Sequence, residues 1–143
     1  LQKQFAMLQE VGGDSVETME LEAQVYSALT SDSALIALLA NGDESVFHLQ
    51  APSDKSTRYP CLVYSPISDV PAVVGDDIEV AHRITIRLHV ITLDGQYNVI
   101  YRHINRIMSG LGFMRVQTTQ YIDDGQKVLI VDYRIGVSLE WQQ

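Results

Sequence analysis

Asp76, Asp77 and Glu79 place three carboxylates within four residues, a density able to hold a hard cation such as calcium or magnesium through oxygen ligands. The spaced ligands of a calcium-binding loop are missing, so a solvated loop is the plainer reading. Asp123 and Asp124 form a second acidic pair, but Gly125 follows them directly and makes a turn the economical interpretation. Cys61 would need a neighbouring base to act as a nucleophile, and the adjacent sequence offers none; a small core residue is expected. His48, His82, His89 and His103 lack the short Cys/His spacings of zinc sites. His82 falls on the apolar phase of a strand, where a histidine is ordinarily satisfied by one hydrogen bond. Arg83 and Arg87 share a strand face, and Arg102 and Arg106 a helix face. Solvated surfaces or intersubunit ion pairs fit these arginines better than a phosphate site.

A phosphate-cradling glycine loop, a nucleophile elbow, a metalloprotease helix and paired zinc motifs are all missing from the sequence. An enzyme therefore has no positive support, a metal-dependent one resting on Asp76, Asp77 and Glu79 alone.

Around these residues the elements are legible by period. Leu21, Val25, Ala28 and Leu29 fall at helical spacing, and a short second helix over Ala34–Leu39 follows Asp32 as its N-cap. Asn41–Gly42 ends that segment. Val46–Leu49 reads as a brief strand, Pro52–Arg58 as a surface loop, and Cys61–Tyr64 as a compact strand between Pro60 and Pro66. Ile78, Val80, His82, Ile84, Ile86, Leu88 and Val90 alternate with polar neighbours, as in a long strand with one core face. Tyr97, Ile100, Tyr101, Ile104, Ile107, Met108 and Leu111 recur at steps of three and four, predicting a helix capped by Asp94 and ended by Gly110 or Gly112. A hairpin over Asp123–Gly125 then joins a strand from Phe113 to Tyr121 to a final alternating strand from Leu129 to Trp141.

The predicted fold class is α+β: an antiparallel-rich, four-stranded sheet with the Leu21 and Tyr97 helices packed on one face, in the order α-β-β-α-β-β. Ile84, Ile86, Leu88, Ile100, Ile104, Ile107, Val131, Ile135 and Val137 are the expected core. Ser68–Asp77 is expected to be a mobile loop whose Val70, Pro71, Val73 and Val74 become ordered against a neighbour. Together with Asp76, Asp77, Glu79, Arg83 and Arg87 these residues are the candidate assembly interface.

The 143 residues, 46% apolar and 20% charged, suit one globular domain. Residues 19–143 read as that domain and residues 1–18 as an appendage, either an upstream or engineered extension or a native arm, because Gly12–Gly13–Asp14–Ser15 breaks the helical pattern. The longest apolar run, Ala34–Ala40, is far short of a membrane span, so no membrane role and a soluble protein are expected. The net charge of −8 repels phosphate and removes the counterion-release term that drives general DNA binding. The single cysteine rules out an internal disulfide.

The order of these features resembles the tail-completion, or tail-terminator, proteins of long-tailed bacteriophages and prophages. The resemblance spans Met19 to Trp141. It rests on the opening helix running into Leu29-Thr30-Ser31-Asp32-Ser33-Ala34-Leu35, the Tyr59-Pro60-Cys61-Leu62-Val63-Tyr64 strand, a long alternating strand, a helix running into Leu111-Gly112-Phe113, and the closing hairpin at Asp123-Asp124-Gly125. It implies a structural protein without cofactor or catalytic residue. Such a protein acts as a hexameric ring, caps the head-proximal end of the tail tube in the virion, stops tube growth and offers the joining surface for the head. The implied partners are further copies of the chain, the tail-tube protein and head–tail connector proteins, with DNA passing through unbound; assembly in the host cytoplasm is implied too. The alternatives are another neck or tail structural protein, or an α+β interaction module outside phages.

Overall fold

The computed structural model describes residues 14–53, 57–75 and 78–138. Helix α1 (Asp14–Ser31) and the one-turn α2 (Ser33–Ile36) open the chain and lead through a 3-10 turn into strand β1 (Val46–His48). Two long strands follow, β2 (Cys61–Gly75) and β3 (Ile78–Thr92), then helix α3 (Asn98–Gly110) and the hairpin β4 (Met114–Asp123) and β5 (Gln126–Ser138). All five strands form one sheet in the order β1-β2-β3-β5-β4.

The expected antiparallel arrangement holds for β2, β3, β5 and β4. The sheet nevertheless has five strands and is mixed, because β1 adds in parallel to Leu62, Val63 and Tyr64. A parallel neighbour cannot be joined by a tight hairpin, and the segment from Leu49 to Pro60 is the crossover that makes the addition possible. Among the described residues the helices number three, one of them a single turn.

One face of the sheet is the core. Ile84, Ile86, Leu88 and Val90 of β3 and Leu129, Val131, Tyr133, Ile135 and Val137 of β5 are buried there with Leu21, Val25 and Leu29 of α1 and Ile100, Ile104 and Ile107 of α3. All nine residues expected in the core are in it. Removing each such aliphatic side chain from water is worth roughly 1.5–3 kcal/mol, which fixes the alternation of the long strands and the helical stripes to one layer of contact. Helix α1 begins at Asp14, inside the stretch read as an appendage, and its Thr18 hydroxyl donates to Asp69 of β2 over 2.8 Å. A His48–Glu22 ion pair ties the same helix to β1.

The short helix is capped as expected: Asp32 accepts the Leu35 N–H at 3.0 Å and also holds the Arg106 guanidinium at 2.8 Å, joining α2 to α3. Asp94 does not cap α3. Its carboxylate accepts the Gln96 N–H two residues on, and Tyr97 is the N-cap without a side-chain bond. Helix α3 ends at Gly110 with Leu111 as its C-cap, and Gly112, with φ at 98°, turns the chain just beyond it; Asp124 and Gly125, with φ at 50° and 80°, form the predicted hairpin turn.

Candidate assembly surface

The expected loop at Ser68–Asp77 is strand for most of its length. Strand β2 continues through Pro66 and Pro71 to Gly75, so Val70, Pro71, Val73 and Val74 pair in register with Arg83, His82, Ala81 and Glu79 of β3. Prolines are tolerated where a missing N–H costs no ladder bond. The Tyr64 carbonyl accepts from Leu49 on the β1 side, so Pro66, two residues further, faces that same open edge. Register shifts after Pro66, after Pro71 and after Val73 reset the alternation, which is why no strand period is visible there. Val70 and Pro71 are exposed. Asp76 and Asp77 lie outside the described residues.

The result is a long β2–β3 arm whose far half is covered at its outer edge by no described strand. Its inner anchor is His82, fully buried, whose Nδ1 pairs with Asp69, the carboxylate that also holds Thr18. His82 is thus the hydrogen-bonded core histidine that its phase predicted.

The sheet face opposite the helices carries Arg83, Thr85, Arg87, His89 and Ile91 along β3. Register lines them up in cross-strand rows: Val63–His89–Ile130–Thr119, then Ser65–Arg87–Asp132–Gln117, then Val70–Arg83–Gly136. Arg83 and Arg134 are exposed on this face, at the end nearer the arm's tip.

Arg87 is paired within the chain. Its Nε and Nη2 donate to the two oxygens of Asp132 at 2.8 and 3.1 Å, and Gln117 Nε2 donates to the same carboxylate at 2.7 Å. Asp132 is only 2% exposed. Burial pushes its carboxyl up, but the Arg87 and Gln117 hydrogen bonds and the Arg87 charge outweigh that and hold it below the ordinary carboxylate value. Burial, followed by the Arg87 charge, pushes His89 down, and its Nδ1 is buried without a hydrogen-bond partner among the described residues. Asp132 and Gln117 were not singled out from the sequence; Asp132 on the polar phase opposite Arg87 was the available signal.

Cys61 is fully buried, and burial pushes its thiol up to about 11, the opposite of an activated nucleophile. Among the described residues no group of three or more His, Cys, Asp or Glu is placed to hold a metal ion. Glu79 stands in β3 opposite Val74, well away in register from the Asp123–Asp124 turn.

Strand β4 was read only as a strand, yet all ten of its residues are exposed, with Met114 and Ile122 at 74% and 73%. Helix α3 reaches this strand through Tyr97 of its cap, which hydrogen-bonds Gln120, and Tyr101, which hydrogen-bonds Thr118.

A comparison with curated proteins finds no match. Among solved structures, the chain is similar to one from the virion of a native gene transfer agent particle, with 15% identity, a TM-score of 0.56, and coverage of 82% of this chain and 94% of that one. At that identity the likeness speaks for a shared fold. The family described as tail completion protein gp17 matches residues 23–138, which takes in the second half of α1 and every strand of the sheet. This chain belongs to the tail completion protein gp17 family.

Proposed function

We propose that this protein terminates a phage tail: a closed ring of six copies sits on the head-proximal end of the tail tube, stops its growth and offers the surface that the filled head joins. The observation that carries the reading is the family match across the whole sheet. The number six and the head-proximal position come from the resemblance to tail terminators.

The geometry supplies parts suited to such a ring. Head-to-tail contacts use two different patches per subunit and close when the rotation permits. One patch is the β2–β3 arm, with Val70 and Pro71 exposed and Val73, Val74 and Glu79 further along it, together with Asp76 and Asp77, their neighbours in the sequence. The other is the helix-free sheet face, where Arg83 and Arg134 offer positive charge to the acidic tip of the next copy. Arg87, paired with Asp132 inside the chain, supports that face. A net charge of −8 per subunit suits a channel through which DNA passes without being held. The reading needs no cofactor, membrane or catalytic step.

Reversing charge with Arg83→Glu together with Arg134→Glu tests it in a phage. The expected outcome is a folded subunit, unjoined heads and tails of uncontrolled length. Normal tails and joined heads from a phage carrying this variant would remove the basic face from the interface.

A further inference from the structure

Charge is divided unequally across the sheet. The chain from α1 through β2, residues 14–75, carries nine acids and two bases, whereas β3 through β5, residues 78–138, carry five acids and seven bases. The strand order β1-β2-β3-β5-β4 places these two stretches side by side. An acidic flank with α1, β1 and β2 therefore stands across the molecule from a basic flank with α3, β5 and β4.

Both flanks expose apolar side chains at one level. Two cross-sheet rows, Pro66–Ile86–Tyr133–Arg115 and Ser68–Thr85–Arg134–Met114, run from the β2 edge to the β4 edge. Ile67, between the two rows at the β2 end, is 43% exposed, and Met114, at the β4 end, is 74% exposed. Among the described residues no strand covers either edge at this level, because β1 reaches only Leu62–Tyr64 and β4 is the last in the sheet. The helix side of the β2 flank carries Asp69, opposite Ile84, and Glu22 of α1. The helix side of the β4 flank carries Arg115, exposed and opposite the core residue Tyr133.

We infer that these flanks form the seam between neighbours: the acidic β2 flank of one copy of this chain docks beside the basic β4 flank of the next, with Ile67 against Met114. The inference rests on the ring reading and adds to it the surfaces that run side by side.

The occupant follows from charge and symmetry. Flanks of opposite net charge attract each other while like flanks repel, so a second copy docks head to tail and not about a two-fold axis. Each such contact leaves one acidic and one basic flank open, and the series closes into a ring when the rotation permits. A rotation about an axis along the strands keeps every row at its level. It brings Ile67 opposite Met114 and sets Arg115 beside the Asp69 and Glu22 side of its neighbour. The seam also continues the basic face, since Arg134 shares a row with Met114 and so lies next to the root of the neighbouring arm. Pro66, Pro71 and the register shifts deny a ladder at the β2 edge, so side chains make this contact and no strand is added.

The test is disulfide trapping on the full chain. Native Cys61 is fully buried and does not compete. Oxidising the double variant Ile67→Cys with Met114→Cys is expected to give a ladder of covalent oligomers that ends at the closed ring. An equal mixture of the two single variants is expected to stop at a dimer of one of each, and either single variant alone to stay monomeric. Arg115→Glu is expected to raise the protein concentration at half-assembly by about tenfold or more while thermal unfolding stays unchanged. Met114→Cys that joins to itself as readily as to Ile67→Cys overturns the inference. Rings whose paired cysteines do not join overturn it too, and leave the terminator reading standing. A covalent ladder from a protein that leaves tail tubes bare would support the seam and sink the terminator reading. A chain that stays monomeric at every concentration, with tail tubes present, overturns both.

Discussion

Arg87 and Asp132 face each other across β3 and β5 on the helix-free side of the sheet, joined by two parallel hydrogen bonds of 2.8 and 3.1 Å. The carboxylate is almost wholly covered while the guanidinium is one-third exposed. The pair therefore behaves as a desolvated acid held by a partly solvated base. Arg87→Met leaves that acid with only Gln117 and is expected to cost about 1–3 kcal/mol, less than a fully buried pair because solvent screens the arginine side. Arg87→Met with Asp132→Leu is expected to recover most of the loss. Urea unfolding of the three proteins measures both.

Two groups on this face make stability fall with acid, in separate windows. His89 has a folded value below its ordinary 6.5, so the unfolded chain takes up its proton first; that contribution is complete above pH 6.5 and is lost as pH falls through the lower folded value. Asp132 is likewise depressed, from 3.8, and its contribution is complete above that value and lost below it. His89→Gln should flatten the upper window and leave the lower one, and Asp132→Asn the reverse. Melting temperatures followed from pH 8 to pH 3 separate them, and a single unbroken slope unaffected by His89→Gln would contradict the assignment.

The fully buried Cys61 thiol, pushed up to about 11, should react with a thiol reagent at pH 8 only when the chain opens. Its modification rate is expected to follow the unfolding equilibrium across mild urea and to reach the free-thiol rate in strong urea. Rapid labelling of native protein would mean that the face over Cys61 is open.

Asp32 serves two partners, the Leu35 N–H and Arg106. Asp32→Ala is expected to cost about 1–2 kcal/mol, most of it the cap. Arg106→Ala should cost well under half of that, since the guanidinium is 54% exposed. Thermal unfolding of both variants ranks them.

The parts of the fold that alternate or repeat cleanly were legible in the sequence. Ile84, Ile86, Leu88 and Val90 fixed the face of β3, Ile100, Ile104 and Ile107 the stripe of α3, and Asp124–Gly125 the turn. What escaped has identifiable causes. The far half of β2 looked like a loop because two prolines and three register shifts erase the period of two. The parallel contact of β1 was hidden because pairing between distant segments leaves no local mark. Arg87 was read as available to a neighbour because the sequence does not show that Asp132 lies opposite it. The exposure of β4 was missed because a strand's residue types say little about whether a helix covers it.

The central claim is that this chain caps one end of a tail tube. The most direct measurement is electron microscopy of purified tail tubes mixed with the purified protein, which counts rings and their positions. The account predicts one closed ring at a single end of each tube, with no further tube growth from that end when free tube subunits are added. Tubes that stay bare, or that go on elongating from the ringed end, would contradict it.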